Sequence, residues 1–229
     1  MTTERETKLP TRRFNVDEYY KMAEIGILPW GGGYELVDGI VCLQGHGTPR
    51  RFTVDEYYKM AEAGILDWEE RVELLNGEIV EMSPIGDKHA FTVDELVNLF
   101  VPLVVGRARI RCQNPVRLSS GDEPEPDVAL LKLREDRYTS GHPGPDDVLL
   151  LIEVADTSLD RDRGVKLSMY AEAGIPETWI ANVPERSVEA HTEPVNGIYT
   201  QSRVYRSDEA VSPIAFPDVS LLVSEILPA

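Results

Sequence analysis

Asp127, Glu153 and Lys166 are the residues whose types and setting could do chemistry. Asp127 follows a proline in the run Glu123-Pro-Glu-Pro-Asp127, Glu153 interrupts the apolar run Val148 to Ala155, and Lys166 stands one helical turn before Tyr170. A carboxylate inside a buried strand is costly unless it is paired or bound to a metal. Two carboxylates at neighbouring strand positions can share one hard divalent cation, with water and a phosphate oxygen completing the coordination. A lysine beside them would neutralise an attacked phosphate or orient the attacking water. Together they describe hydrolysis of a phosphodiester. Each residue also has an ordinary alternative. Glu153 could form a structural salt bridge or face solvent at a strand end, Asp127 could be a turn residue, and Lys166 could be an exposed helix lysine with its stem along apolar surface.

Other polar and aromatic groups carry less. His89 opens a helix after Ser83-Pro84 and could cap it or touch phosphate, with capping or packing the preferred role. His46, His142 and His191 show no ligand spacing. Tyr57, Tyr58 and Trp68 could stack on bases, but their helical spacing beside Met60 favours a core position. Asp160, Asp162 and Glu172 read as a solvated helix face, the first two complementing the helix dipole.

The elements that must position these residues begin with a repeat. Arg12-Arg-Phe-Asn-Val-Asp-Glu-Tyr-Tyr-Lys-Met-Ala-Glu recurs from Arg50, and the same register aligns Gly26 with Gly64, Trp30 with Trp68 and Gly39 with Gly77. Two copies fall short of the roughly three that a solenoid needs. Each copy reads as a helix and a hairpin. Thr53 with Glu56 forms a capping-box pattern, Gly64 is placed to stop the helix, and Asn76-Gly77 is a hairpin turn. The first copy has a weaker hairpin, with Gly31-Gly-Gly ahead of it and an irregular run after Val41, so the second copy is expected to be the one built into the main domain. Residues 1–11 read as a loose tail.

Further on, the spacing predicts a helix over 88–104, with Pro102 threatening its last turn, and strands over 107–118, 127–133 and 148–155. The last is continuously apolar, as a strand buried on both faces would be. A helix follows from Ser158 or Asp160 to Ala173, with Val165, Met169 and Ala173 as its buried stripe and Lys166 and Tyr170 flanking it. Strands over 178–183, 188–192 and 199–205 and a short closing helix from Pro217 complete an α/β sandwich around a mixed sheet.

The length of 229 residues is enough for a real core, and 42% hydrophobic with 28% charged residues is ordinary for a globular chain. No apolar run approaches the roughly 18 residues of a membrane span. Two cysteines and a charged N-terminus without an apolar segment point to the cytoplasm. The net charge of −17 works against tight nucleic-acid binding, which draws on basic surfaces.

Pro126-Asp127, Ile152-Glu153-Val154 and Asp162-Arg-Gly-Val-Lys166-Leu-Ser-Met-Tyr170, with Gly174-Ile-Pro-Glu-Thr-Trp179 after them, resemble the Uma-two family of candidate restriction endonucleases in the PD-(D/E)XK nuclease superfamily. Glu73 to Pro84 and His89 fit the same family, and the resemblance covers residues 51–225. It implies a restriction-endonuclease-like core, a mixed central β-sheet flanked by helices, with an N-terminal helix-hairpin. It divides the chain into a tail and first copy, 1–48, and a nuclease domain, 49–229. It implies DNA cleavage with magnesium held by Asp127 and Glu153, manganese able to substitute, and Lys166 as the catalytic lysine. The superfamily pattern expects that lysine two residues after the acid, where Ala155 stands, so the lysine has migrated to the helix. Glu73 becomes a candidate third acid, with His89 and Tyr170 as supporting groups. DNA would be weakly held. The rival expectation is a non-catalytic interaction protein on a nuclease fold. The first copy could favour a homodimer or occlude the cleft.

Overall fold

The computed structural model describes residues 9–228, in two compact units: 9–83 with 119–124, and 84–118 with 125–228. The second repeat copy therefore groups with the first, not with the sheet.

In the N-terminal unit each copy folds as its pattern dictates. The first gives α1 (Val16–Glu24), β1 (Tyr34–Val37) and β2 (Ile40–Leu43); the second gives α2 (Val54–Glu62), β3 (Val72–Leu75) and β4 (Glu78–Glu81). Both helices start in a reciprocal capping box, Asn15 with Glu18 and Thr53 with Glu56. Both hairpins turn through paired left-handed residues, Asp38-Gly39 and Asn76-Gly77. A Cβ at either glycine would also sit 2.7 Å from that of Arg13 or 2.8 Å from that of Arg51. The first hairpin is complete rather than weak: β2 runs on through buried Cys42 to Leu43, and a glycine-rich turn returns the chain so that Leu43 N–H donates to Thr48 at 2.8 Å.

The expected loose tail is docked where it is described; its first eight residues lie outside the described range. Pro10 accepts from Glu81 N–H at 2.9 Å, and Arg12 N–H donates to Ile79 at 2.8 Å. Trp68 is exposed rather than in the core, because it sits in the turn beyond α2 and not on the helix face. Tyr57 is half-buried, and its hydroxyl donates to Val72 at 3.0 Å.

The second unit opens with α3 (Asp87–Val104), which tolerates Pro102 in its final turns. Strands β5 (Arg109–Cys112), β6 (Val128–Leu131) and β7 (Val148–Ala155) follow. After β7 come α4 (Leu159–Arg161), one π turn over Asp162–Lys166, and α5 (Leu167–Glu172). The chain ends with β8 (Glu177–Asn182), β9 (Ser187–Val195), β10 (Ile198–Arg206), the short pair β11 (Ala210–Val211) and β12 (Leu221–Leu222), and α6 (Val223–Ile226). The sheet order is β10-β9-β8-β7-β6-β5. Only β7 and β8 are parallel, joined by the α4–α5 crossover, so the sheet is mixed as expected. β5 is shorter than expected because Gln113 adopts a left-handed conformation and turns the chain away.

Alternation along the strands divides the core between the two faces of the sheet. Leu130, Ile152 and Trp179 pack with Leu96, Phe100 and Ile226 from α3 and α6. Ala129, Leu131 and Leu151 pack with Tyr170 and Ile175 from the crossover. The latter face carries the polar site.

Candidate active site

Register places the two acids. In the β6–β7 ladder Val128 faces Ile152 and Ala129 faces Leu151, so one step further sets Asp127 opposite Glu153, on the same face as Leu151 and Ala129. Asp127 is fixed there by its surroundings. Its carboxylate accepts from Val154 N–H at 2.8 Å, meets His89 Nε2 at 2.9 Å and lies 3.4 Å from Gln113 Nε2. His89 thus serves Asp127 from the first turn of α3. It does not cap that helix, whose N-cap is Gly86.

Glu153 is buried and paired. Lys166 Nζ lies 3.2 and 3.4 Å from its two oxygens, and the Tyr170 hydroxyl donates to the nearer one. Lys166 is only 2% exposed, so it does not flank the helix stripe but belongs to it. The expected stripe of Val165, Met169 and Ala173 is replaced by Lys166, Met169 and Tyr170, the first and last of the expected three being half-buried. The partner on the sheet is the reason. A π turn, in which Leu167 N–H donates to Asp162 five residues back, leads into the helix. Lys166 and Tyr170 then point at the sheet, where Glu153 compensates the buried ammonium.

Asp162 corrects the solvated-face expectation for this residue: it is 2% exposed. Ser158 Oγ donates to it at 2.5 Å, and Arg161 Nε approaches at 3.8 Å. Burial pushes its carboxyl above the usual range, against the opposing pull of Lys166, Ser158 and Arg161, and nearby Asp127 pushes the same way as burial. Glu189 on β9 behaves oppositely. Burial would raise it, but His191, Arg163 and Asn182 outweigh that and hold it at about 2. Arg163 Nε donates to Glu189 at 3.0 Å and Asn182 Nδ2 donates to it at 3.2 Å, so a second acid, on β9, is paired with the crossover. The spacing of Asp162, Lys166 and Tyr170 by four residues was the sequence signal that Asp162 shares their side. Nothing comparable marked Gln113.

Asp127, Glu153, Lys166, Tyr170 and His89 thus lie in one unit, His89 on Asp127 and Lys166 with Tyr170 on Glu153. Glu73 belongs to the N-terminal unit, where it is buried on β3; in that unit Glu123 accepts from the Tyr58 hydroxyl at 2.5 Å.

The donor set can be tested against a metal. Among the described residues no group of three or more His, Cys, Asp and Glu side chains is placed to hold an ion. A closed zinc-type site is therefore not built here. Two facing carboxylates do fit a hard cation that keeps water and phosphate as its other ligands. Glu153 would have to share its oxygens between the cation and Lys166.

Residues 54–224 match the family Uma2, described as "Putative restriction endonuclease". The chain belongs to the Uma2 family. The match starts at the second helix, so the first repeat copy lies outside it. A crystal structure described as a "putative nuclease" of DUF820 from Anabaena variabilis ATCC 29413 shares the fold with a TM-score of 0.59 at 18% identity, over 76% of this chain and 97% of that one. No curated protein matches the chain. Among the described residues no helix is long and apolar enough to cross a membrane.

Proposed function

We propose that this Uma2-family chain is a magnesium-dependent endonuclease that hydrolyses phosphodiester bonds of DNA. The observation that carries it is the buried Lys166–Glu153 pair with Asp127 set opposite Glu153 on one face of the sheet, between the interior strands β6 and β7. Asp127 and Glu153 would hold the cation. When bound, the cation lowers the pKa of a coordinated water and stabilises charge on the phosphoryl oxygens.

The chain's own residues do the rest. Val154 N–H and His89 hold the Asp127 carboxylate in one orientation. Tyr170 and Lys166 do the same for Glu153. The Lys166 ammonium, held beside the reacting position, offsets the negative charge that grows on the phosphate as the water oxygen attaches to phosphorus and the P–O bond to the leaving strand breaks. His89 and Tyr170 are positioning residues in this scheme. Glu73 as a third acid rests on the family resemblance.

The test is nicking of supercoiled plasmid by the purified chain with Mg²⁺ or Mn²⁺. Asp127→Asn and Lys166→Met should each lower the rate at least about 100-fold, the scale of losing one charge-stabilising group. Equal cleavage by all three proteins rejects the assignment.

One observation favours a second reading, a non-catalytic interaction protein on this fold: the net charge of −17 repels a polyanion. Calorimetric titration with Mn²⁺ separates the two. Binding that disappears in Glu153→Gln supports the nuclease, and heat identical to buffer supports the interaction protein.

A further inference from the structure

The two repeat copies do not merely adjoin; they exchange the same contacts in both directions. Arg12 N–H donates to Ile79 of the second hairpin at 2.8 Å, and its counterpart Arg50 N–H donates to Val41 of the first at 2.8 Å. Glu81 N–H donates to Pro10 at 2.9 Å, and Leu43 N–H donates to Thr48 at 2.8 Å. Thr11 bridges Val80, and Pro49 bridges Cys42. Arg12 Nη2 reaches the Ile65 carbonyl at 3.2 Å, and Arg50 Nη2 reaches the Ile27 carbonyl at 3.1 Å. Phe14 meets its own counterpart, Phe52, edge to face at 6.0 Å between ring centres.

A residue that touches its own copy, flanked by contacts that recur with roles swapped, is the signature of a two-fold axis. Here the axis lies within one chain. Each hairpin is completed as a third-strand pairing by the leading segment of the other copy, 10–12 on β4 and 48–50 on β2. Each leading segment reaches its own hairpin only at the turn, where Phe14 N–H donates to Gly39 and Phe52 N–H to Gly77, both at 2.7 Å.

We propose that this face is a homodimerisation surface that duplication has filled within the chain. The first copy stands in for the helix-hairpin of a second copy of this protein. When pairing within the chain is prevented, the face takes the same element from another chain. The family match beginning at the second copy agrees with the first copy being the addition.

The experiment uses the full-length chain. Deleting Gly45-His46-Gly47 removes the turn that lets Thr48–Arg50 fold back on β2, so the copies can pair only between chains. The solution mass by light scattering should double relative to the parent. With Phe14→Cys and Phe52→Cys added, the cross-link should be within one chain in the parent turn and between chains in the shortened one. A parental mass with an intrachain cross-link overturns the proposal. If the shortened chain is insoluble, Arg12→Ala with Phe14→Ala in the intact turn decides: second copies freed from the first should pair and double the mass, and an unchanged mass overturns the proposal.

Discussion

The two repeat copies are nearly the same text in two surroundings. Their local hydrogen bonds have corresponding partners and nearly equal lengths. Tyr19 donates to Tyr34 at 2.8 Å as Tyr57 does to Val72 at 3.0 Å, and Ile27 and Ile65 close their helices onto Met22 and Met60 at 2.8 Å alike. Their burial is not the same. Val16 is 59% exposed and its counterpart Val54 is 2% exposed. Tyr20 is 55% exposed, whereas Tyr58 is half-buried with its hydroxyl on Glu123. The cause is the segment 119–124. It covers only the second copy, where Ser120 accepts from Val54 N–H at 2.7 Å and Gly121 from Gly77 N–H at 2.8 Å. Identical residues thus form matching helices and turns and share one core, while a six-residue loop covers Val54 and Tyr58 but not their counterparts.

The comparison breaks most sharply at the valine pair. Val54→Asp buries an unpaired charge and should cost about 3–5 kcal/mol. Val16→Asp places an acid on an exposed first helical turn and should stay within about 0.5 kcal/mol; equal losses by urea unfolding would refute the burial difference. At the hairpin turns the copies should instead agree. Gly39→Ala and Gly77→Ala each force a Cβ into a left-handed position against an arginine side chain, and each should cost about 1–3 kcal/mol. Smaller again is the hydroxyl contrast: Tyr58→Phe leaves Glu123 short of a donor and should cost about 1–2 kcal/mol, against close to nothing for Tyr20→Phe.

The finest test is acid titration. Burial raises Glu18 and Glu56, but Arg12 with the Asn15 N–H, and Arg50 with the Thr53 N–H, outweigh it and leave both carboxyls below the ordinary value. A depressed folded value contributes stability that is present above the unfolded pKa and is lost as pH falls through the folded one. Glu18→Gln and Glu56→Gln should each flatten the loss of stability below pH 4.5, the ordinary glutamate value, and leave the neutral-to-alkaline limb unchanged. A flattened limb in only one variant would show that the copies differ electrostatically as well as in burial.

The active-site candidate was legible for a different reason. Glu153 stood out because a charge in a continuously apolar strand needs a partner, and Lys166 with Tyr170 is that partner. Asp127 was legible as a proline-led strand opening. Asp162 and the true face of the helix were missed, although the four-residue spacing of Asp162 to Lys166 was there to read. The stripe of Val165, Met169 and Ala173 was chosen for its apolar residues, whereas burial follows the partner that Glu153 offers Lys166 and Tyr170. Trp68 was misjudged similarly, by counting it with a helix that had already ended.

Local backbone rules act over a few residues, so the caps, the Asn-Gly turn, the apolar β7 and the duplication were written in the sequence alone. The pairing of β6 with β7 that sets Asp127 against Glu153, the reciprocal strand exchange and the covering of one copy rather than the other were decided by tertiary structure. These depend on chain segments far apart in sequence meeting in space, and burial energy is set by what covers a side chain, not by its neighbours in the chain.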